Sequence, residues 1–369
     1  PVSAGARFVA PGGGALKRLL THSPAPVIGI AGTGHPELTL DLMSAMLRAQ
    51  GIRTTVGLGP ALGQLDSLRP EDRVLVEVSG SLLRNPARGL AMLVLGGFAA
   101  DELSPDQAPW ELGEALTQLA AGVEGCVVVN ADDARALALL AQAGAEPVRA
   151  SMAGRGADAF LRGGELVIVD PQLGVERRVC RMDQVPLGGP AFQMNVLLAS
   201  CAAAIAGVDV EAIRATLGAY EPGLDRLQRV ATRHRVRWYS DGLATRPGQA
   251  AGALRHFSSD RVILIAGGRH GGQPLDRWRD AALRHADAVL LFGSASTQLA
   301  DTLRGGQALI VRCADLDDAV ATAQSLAQPG HTVLFSPGCE PDDLLSPPPG
   351  EVFRRLLTVA GQRPRQEAA

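Results

Sequence analysis

Residues 27–49 read VIGIAGTGHPELTLDLMSAMLRA, and this stretch decides how the first part of the chain folds. The largely apolar residues 27–30 predict a short buried strand. A glycine-rich turn over residues 31–35 follows, and from Pro36 onward apolar residues recur with helical spacing. Proline suits the first position of a helix, where the missing N–H has no intrahelical partner. The pattern predicts a strand, a tight turn and a helix, an arrangement that can hold phosphate at a helix N-terminus.

The same alternation of strands and helices continues along the chain. Runs that are apolar almost throughout occur near residues 52–58, 72–80, 90–98 and 125–133. Such runs indicate parallel strands whose sheet is covered by helices on both faces. Two alternating runs joined at Gly163 and Gly164 predict a β-hairpin. Beyond residue 232 the alternation restarts, so the predicted fold class is α/β with a second, smaller doubly wound sheet.

Composition and charge exclude several kinds of partner. The chain has 369 residues, of which 46% are hydrophobic and 20% charged, which is typical of a globular protein of two domains. The net charge of −3 gives no electrostatic reason to bind nucleic acid or an anionic membrane. The basic stretch 229–238 is interpreted as the exposed edge of a strand. Five scattered cysteines fit neither a disulfide framework nor a zinc site, and no apolar run could span a bilayer. We expect a cytoplasmic protein.

The turn itself, taken alone, argues against nucleotide binding. A working phosphate loop needs a lysine on the β- and γ-phosphates and a Ser or Thr hydroxyl on magnesium. Pro36 and Glu37 stand at those two positions. Proline removes a backbone donor, and the Glu37 carboxylate would oppose a phosphate by about 4 kcal/mol at 4 Å and an effective dielectric of 20. The residues of the degenerate loop are Gly32, Thr33, Gly34, His35, Pro36 and Glu37. Read alone, the loop is interpreted as a structural turn.

Nine further segments resemble, in order, the motifs of one enzyme family. Among them are VLVEVSGSLLRN (74–85), CVVVNADD (126–133), GGPAFQMNVLLASCAAA (188–204), WYSDGLATRPGQAAGAL (238–254) and VLFSPGCEPDDL (333–344). Together they resemble the Mur ligases, the ATP-dependent amide-forming enzymes of peptidoglycan synthesis, and most closely the branch that adds D-glutamate. The resemblance implies a short N-terminal remnant (1–25), a P-loop-like parallel-sheet central domain (26–225) and a Rossmann-like doubly wound C-terminal domain (226–369).

Some positions keep the residue that the family uses. The resemblance implies a magnesium site at Glu77, an adenine contact at Asn195 and a substrate contact at Ser336. It also implies ribose or phosphate contacts at Arg226 and Asp241. Each has a structural alternative: Glu77 could cap a turn, Arg226 could pair with Asp241, Asn195 could be a packing or capping group, and Ser336 could belong to a strand-ending turn.

Other positions of the family site have changed chemistry. Besides the loop lysine and its hydroxyl neighbour, the metal-site histidine falls at Glu102 and the lysine of the D-S-K-A-T motif at Leu243. The histidine-asparagine pair falls at Ala191-Phe192, and the histidine of the P-H-R motif at Asp225. The family uses ATP and Mg²⁺, but with these cationic and metal-binding groups replaced we assign no cofactor, metal or catalytic residue.

Three hypotheses follow for the function. The leading one is a pseudoenzyme that has lost ATP and magnesium binding and acts by binding a peptidoglycan precursor or another cell-wall synthesis protein. The rival is an active ATP-dependent amide ligase with a rearranged site. The third is a purely structural subunit, which would show a large apolar patch and no pocket for a small molecule.

Overall fold

Strand β1 (Val27–Ala31) is the strand predicted from the opening stretch, and all five of its residues are buried. Helix α2 (Pro36–Ala49) follows it, and Leu42, Met43 and Met46 on its inner face are fully buried. The computed structural model of the chain describes residues 13–78, 82, 88–98, 109–154, 156–187, 190–221, 225–343 and 347–360. The predicted strand, turn and helix are therefore confirmed.

The described chain forms two compact units, the first ending at Tyr220 and the second starting at Glu221, with a short segment near Leu187 counted with the second. The first unit contains helices α1 (Gly13–His22), α2, α3 (Leu58–Gly63), α4 (Pro109–Ala121), α5 (Ala134–Gln142), α6 (Pro190–Ile205) and α7 (Val210–Ala219). Its strands are β1, β2 (Thr54–Val56), β3 (Arg73–Val78), β4 (Leu90–Leu95), β5 (Val123–Asn130), β6 (Pro147–Ser151), β7 (Ala159–Arg162), β8 (Glu165–Val169) and β9 (Glu176–Arg181). The domain limits at residues 25 and 225 stay predictions.

These nine strands form one sheet in the order β2-β3-β1-β4-β5-β6-β7-β8-β9. The strands from β2 to β7 run parallel, and β7, β8 and β9 pair antiparallel. The turn between β7 and β8 is at Gly163 and Gly164, both with positive φ, so the predicted hairpin is confirmed. Strand β1 lies between β3 and β4, which places its glycine-rich turn at the carboxyl edge of the sheet, where ligands of α/β proteins bind.

The second unit carries a six-stranded sheet in the order β10-β11-β15-β12-β13-β14. Its strands are β10 (Gln228–Arg233), β11 (Val236–Ser240), β12 (Arg261–Gly267), β13 (Ala286–Phe292), β14 (Leu309–Arg312) and β15 (His331–Phe335). Its helices are α8 (Pro247–His256), α9 (Asp276–His285), α10 (Ser296–Thr302), α11 (Leu316–Leu326) and α12 (Pro349–Ala360). All pairs are parallel except β10 with β11, which confirms the predicted second α/β sheet.

One strand prediction in this unit is wrong. Residues 229–238 do not form a single strand, because the chain reverses at His234 and Arg235 and makes an antiparallel hairpin of β10 and β11. Both turn residues have left-handed backbone angles, with φ of 50° and 64°. A two-residue hairpin loop needs such angles, and they usually call for Asn or Gly. The exposed-edge part of the prediction is correct, because β10 is the outer strand of its sheet.

Apolar clusters cover both faces of this second sheet. On one face Trp278 is 1% exposed and packs with Leu254 and Leu334. On the other face the rings of Phe335 and Phe353 stack with centroids 4.8 Å apart. A stacked pair of this kind contributes about 0.5–1.5 kcal/mol beyond its buried area. Helices on both faces of a largely parallel sheet are the doubly wound arrangement that the sequence predicts.

Candidate functional site

The backbone of the glycine-rich turn is fixed by its contact with the end of β4. Gly32 and Gly34 have φ of 101° and 83°, angles that side-chain-bearing residues rarely adopt. The Thr33 N–H donates to Gly97 O at 2.8 Å. A Cβ added to Gly32 would lie 2.6 Å from Gly97 O, so no larger residue fits there. The backbone of this turn therefore depends on glycine at position 32.

The side chains at the start of α2 interact with one another and with α6. Pro36 occupies the first helical turn, and His35 before it is left-handed, with φ of 63° and ψ of 56°. His35 Nδ1 lies 3.0 Å from Glu37 Oε1, so these two side chains form a hydrogen bond or, with His35 protonated, an ion pair. The His35 ring also lies 5.2 Å from the ring of Phe192 in α6. The Glu37 carboxylate in the first turn suits the positive end of the helix dipole.

Asn195, the implied adenine contact, holds this turn from behind. Its Nδ2 lies 2.7 Å from Gly34 O, 2.9 Å from His35 O and 2.9 Å from Thr39 Oγ1. The residue is 2% exposed, and its Oδ1 is buried with no partner among the described residues. The structure therefore gives the Asn195 amide a local task, tying α6 to the turn and to the first turn of α2.

The acidic positions of the implied metal site are only partly described. Glu77 is the penultimate residue of β3, is half-buried, and pairs in register with Ile30 of β1. Glu102 lies outside the described residues. Within the described ranges, no group of three His, Cys, Asp or Glu side chains is close enough to hold a metal ion. Glu77 therefore stands at the carboxyl edge of the sheet near the turn, without a described acidic cluster around it.

The CVVVNADD motif supports the same edge through hydrogen bonds that the sequence reasoning did not identify. Asp133 caps α5, its side chain accepting from the N–H groups of Arg135 and Ala136. Its Oδ2 also accepts from Phe98 N at 2.7 Å, so the same carboxylate fixes the chain just after β4. Asp132 accepts from Ser151 Oγ at 2.6 Å. An Asp directly before a helical stretch is the sequence signal for such a cap.

In the second unit, Ser336 and Asp241 lie together. Ser336 Oγ donates to Asp241 Oδ2 at 2.7 Å, and Leu227 N donates to Asp241 Oδ1 at 3.3 Å. Ser336 is completely buried and Asp241 is 3% exposed. Arg226, one residue before Leu227, is half-buried. The Ser336 hydroxyl thus joins the end of β15 to the end of β11.

Two of the changed positions also lie in this unit. Asp225 is buried, has φ of 64°, and accepts a hydrogen bond from Ser240 Oγ at 2.6 Å. Its carboxylate also pairs with the guanidinium of Arg354 in α12. Leu243 is 50% exposed, an apolar side chain at the implied lysine position. The carboxylate at position 225 is therefore engaged in an internal ion pair, and position 243 supplies no charge.

Burial shifts the ionisation of several side chains near the strand ends. It raises the pKa of the Cys339 thiol to about 12, with the carboxylates of Asp342 and Glu340 adding to the effect. It lowers the pKa of the His270 imidazole, which follows β12. A thiol that stays protonated at neutral pH is a poor nucleophile and a poor metal ligand. Cys339 is therefore a packing residue.

The residues around the turn do not fit ATP with magnesium. A phosphate there would meet the Glu37 carboxylate, and the imidazole of His35 is already bonded to that carboxylate. Proline at position 36 supplies no N–H to the phosphate. The Asn195 amide donates to the carbonyls of the turn. Donors and cations aimed at the transferred phosphoryl group are what this chemistry requires, and the described residues of the turn supply an acidic group in their place.

No helix among the described residues is long and apolar enough to cross a membrane.

The domain family described as "Mur ligase, glutamate ligase domain" matches residues 225–339. The UDP-N-acetylmuramoylalanine--D-glutamate ligase of Symbiobacterium thermophilum is 32% identical over 337 residues, which cover 88% of this chain and 73% of that protein. The ligase of the same name from Myxococcus xanthus is 33% identical over 353 residues, covering 91% and 76%.

Solved structures share the fold at much lower identity. The pseudomurein peptide ligase type C of Methanothermus fervidus superposes with a TM-score of 0.70 at 15% identity, covering 94% of this chain and 81% of that one. The folylpolyglutamate synthase of Mycobacterium tuberculosis, complexed with ADP, gives a TM-score of 0.67 at 17% identity, covering 96% and 94%. The fold, the order of the motifs and the identity to the curated ligases lead to one conclusion: the chain belongs to the Mur ligase family.

Proposed function

We propose that the protein is a pseudoenzyme of the Mur ligase family that has lost ATP and magnesium binding. It would act by binding a peptidoglycan precursor or another protein of cell-wall synthesis. The observation that carries the proposal is the start of α2, where Pro36 and the His35–Glu37 pair occupy the positions that contact the β- and γ-phosphates in the family. A carboxylate next to the phosphate costs about 4 kcal/mol, or about a thousandfold in Kd.

Isothermal titration with Mg-ATP tests this proposal directly. We expect no binding heat from the wild-type protein, whereas micromolar affinity would refute the loss of the site. The double variant Pro36→Lys with Glu37→Thr restores the family residues while leaving the Gly32–Gly97 contact intact, and it serves as the matched variant. Its Kd for Mg-ATP is expected to be at least about a hundredfold below that of the wild type, because a repulsive charge becomes an attractive one.

The binding role calls for a second titration. UDP-N-acetylmuramoylalanine, the precursor that appears in the name of the related ligases, is titrated into the protein without nucleotide. Saturable binding in the absence of ATP would support a precursor-binding role. Failure of both the precursor and Mg-ATP to bind would leave a protein partner as the proposed ligand, in line with the other half of the proposal.

An active ATP-dependent amide ligase is the second candidate, and one observation favours it. The turn keeps its phosphate-loop-like backbone, with Gly32 and Gly34 at positive φ, and Glu77 stands at the same edge of the sheet. This function predicts phosphate release from ATP that depends on both UDP-N-acetylmuramoylalanine and D-glutamate. The release should be abolished by Glu77→Ala, and an unchanged rate in that variant would rule out a rearranged site built on Glu77.

A further inference from the structure

β14 is the outermost strand of the second unit's sheet, and its outer edge has unused backbone groups. Cys313, the next residue, donates its N–H to Leu291 O of β13 at 2.7 Å. Because peptide groups point alternately to the two sides of a strand, those of Val311 also point toward β13. The N–H and C=O groups of Ile310 and Arg312 therefore point outward. No described residue makes a hydrogen bond to them.

Two other edge strands of the protein are protected in ways that β14 is not. At β9, the Arg214 guanidinium of α7 donates to Val179 O at 2.5 Å and to Arg178 O at 2.9 Å. At β10, a bulge between Arg229 and Ala231 interrupts the pairing. Both devices make an edge a poor template for another strand. β14 pairs with β13 without any register shift, and no described side chain bonds to its backbone.

The β14 edge also borders a cleft of about 440 Å³ between α10 and β14. Ala300, Leu303 and Ile310 form its apolar surface, and Asp301, Arg304 and Arg312 line it as charged groups. Arg304 is paired with Asp301 at 2.7 Å. Arg312 makes no ion pair with any residue that the structure describes, so the cleft has an uncompensated positive charge. On the opposite face of the strand, Leu309 is 50% exposed, where an added strand would cover it.

We propose that this edge binds an extended acidic peptide segment, which adds as a seventh strand beside β14. The peptide backbone would pair with the outward groups of Ile310 and Arg312, one apolar side chain would enter the cleft, and a carboxylate would face Arg312. Main-chain pairing supplies affinity in this mode and the side-chain pockets supply specificity. A second copy of the chain is a poorer occupant, because it would bring Arg312 and Arg304 against the same arginines. The proposal does not depend on the state of the nucleotide site.

The test uses two blocked hexapeptides that carry a valine followed two residues later by glutamate in one peptide and by lysine in the other, so that both side chains lie on the cleft face. Fluorescence anisotropy measures their binding to the full chain, and hydrogen exchange measures protection of the Ile310 and Arg312 amides. We expect the glutamate peptide to bind at least about tenfold more tightly than the lysine peptide and to protect both amides. Failure of the glutamate peptide to bind, or equal affinity for the two peptides, would overturn the proposal.

Substitutions test whether the peptide binds at the outer edge of β14. Arg312→Glu should reverse the preference between the peptides, whereas Arg229→Glu on the other edge strand should leave it unchanged. Ile310→Pro removes an outward N–H without removing a β13 bond, and it should abolish binding of both peptides while the urea midpoint stays near that of the wild type. If Ile310→Pro unfolds the protein, the Arg312→Glu reversal decides alone. Dimerisation that Leu309→Lys abolishes would show that a second copy takes the edge, and it would also overturn the proposal.

Discussion

The role of Asn195 can be tested by replacing its side-chain NH₂ group with an oxygen atom. In Asn195→Asp the Nδ2 donor becomes a carboxylate oxygen, and it faces Gly34 O, His35 O and Thr39 Oγ1, all within 2.9 Å of Nδ2 in the wild type. A carboxylate accepts hydrogen bonds and donates none. With the residue 2% exposed, water cannot supply the missing donors.

The magnitude follows from the number of protons on the amide. Nδ2 carries two protons for three acceptors, so two hydrogen bonds are made at a time. Asn195→Ala loses these two bonds at a residue that is 2% exposed, which costs about 1–3 kcal/mol of unfolding free energy. Asn195→Asp adds a buried charge that faces oxygen atoms, so its cost is expected to reach about 3–5 kcal/mol.

Urea denaturation followed by far-UV circular dichroism gives these free energies, and hydrogen exchange assigns the transition to the first unit. Ser200→Ala on the same helix is the matched control, because Ser200 Oγ is buried without a partner among the described residues. Removing that hydroxyl should change stability by less than about 1 kcal/mol or increase it. An Asn195→Asp variant as stable as the wild type, or a Ser200→Ala variant as destabilised as Asn195→Ala, would refute this role of Asn195.

Two further predictions concern buried ionisable groups in the second unit. Asp225→Ala should lower the unfolding free energy by about 3–5 kcal/mol, because it leaves the Arg354 guanidinium without its carboxylate. The double variant with Arg354→Met should recover part of that loss, which urea denaturation of the two single variants and the double variant would measure. If the losses of the two single variants simply add in the double variant, Asp225 and Arg354 do not interact directly. Burial lowers the pKa of His331, whose Nδ1 accepts from Gln328 N and whose Nε2 is buried without a described partner. The unfolded chain then takes up this proton first as the pH falls below the ordinary histidine pKa, so stability should be full at pH 7 and decrease toward pH 5. His331→Gln should reduce that slope in pH-dependent urea titrations, and an unchanged slope would contradict the assignment.

The sequence predicts the regular parts of this fold well, because hydrophobic periodicity reports directly on burial. The continuous apolar runs at β1, β12 and β15 are buried parallel strands, and Gly163 with Gly164 forms a hairpin turn. The reversal at His234 and Arg235 could not be predicted in the same way. Arg235 has no intrinsic preference for left-handed angles and His234 only a modest one. The burial of Val236 and Trp238, which are 4% and 3% exposed, helps to stabilise the turn.

The candidate site shows a similar division between what local sequence specifies and what the fold adds. The changes at Pro36 and Glu37 are visible in the sequence, since the position in the turn defines which group meets a phosphate. The hydrogen bonds of Asn195 and of Ser336 cannot be predicted from the sequence, because their partners are distant in the chain. Asn195 reaches residues about 160 positions earlier, and Ser336 reaches a carboxylate 95 positions earlier. Such contacts exist only once the sheets have formed.

The strand order of the second unit also has a consequence for synthesis on the ribosome. β11 pairs with β15, and Asp241 at the end of β11 accepts a hydrogen bond from Ser336, which is synthesised 95 residues later. At about 5–20 residues per second, roughly 5–20 seconds separate the two. During that interval one edge of β11 and the buried face of Trp238 have no partner strand, so this unit completes its sheet only near the end of translation. The nascent second unit is therefore exposed to aggregation until β15 has been made, and a chaperone that covers β11 during this interval would protect it.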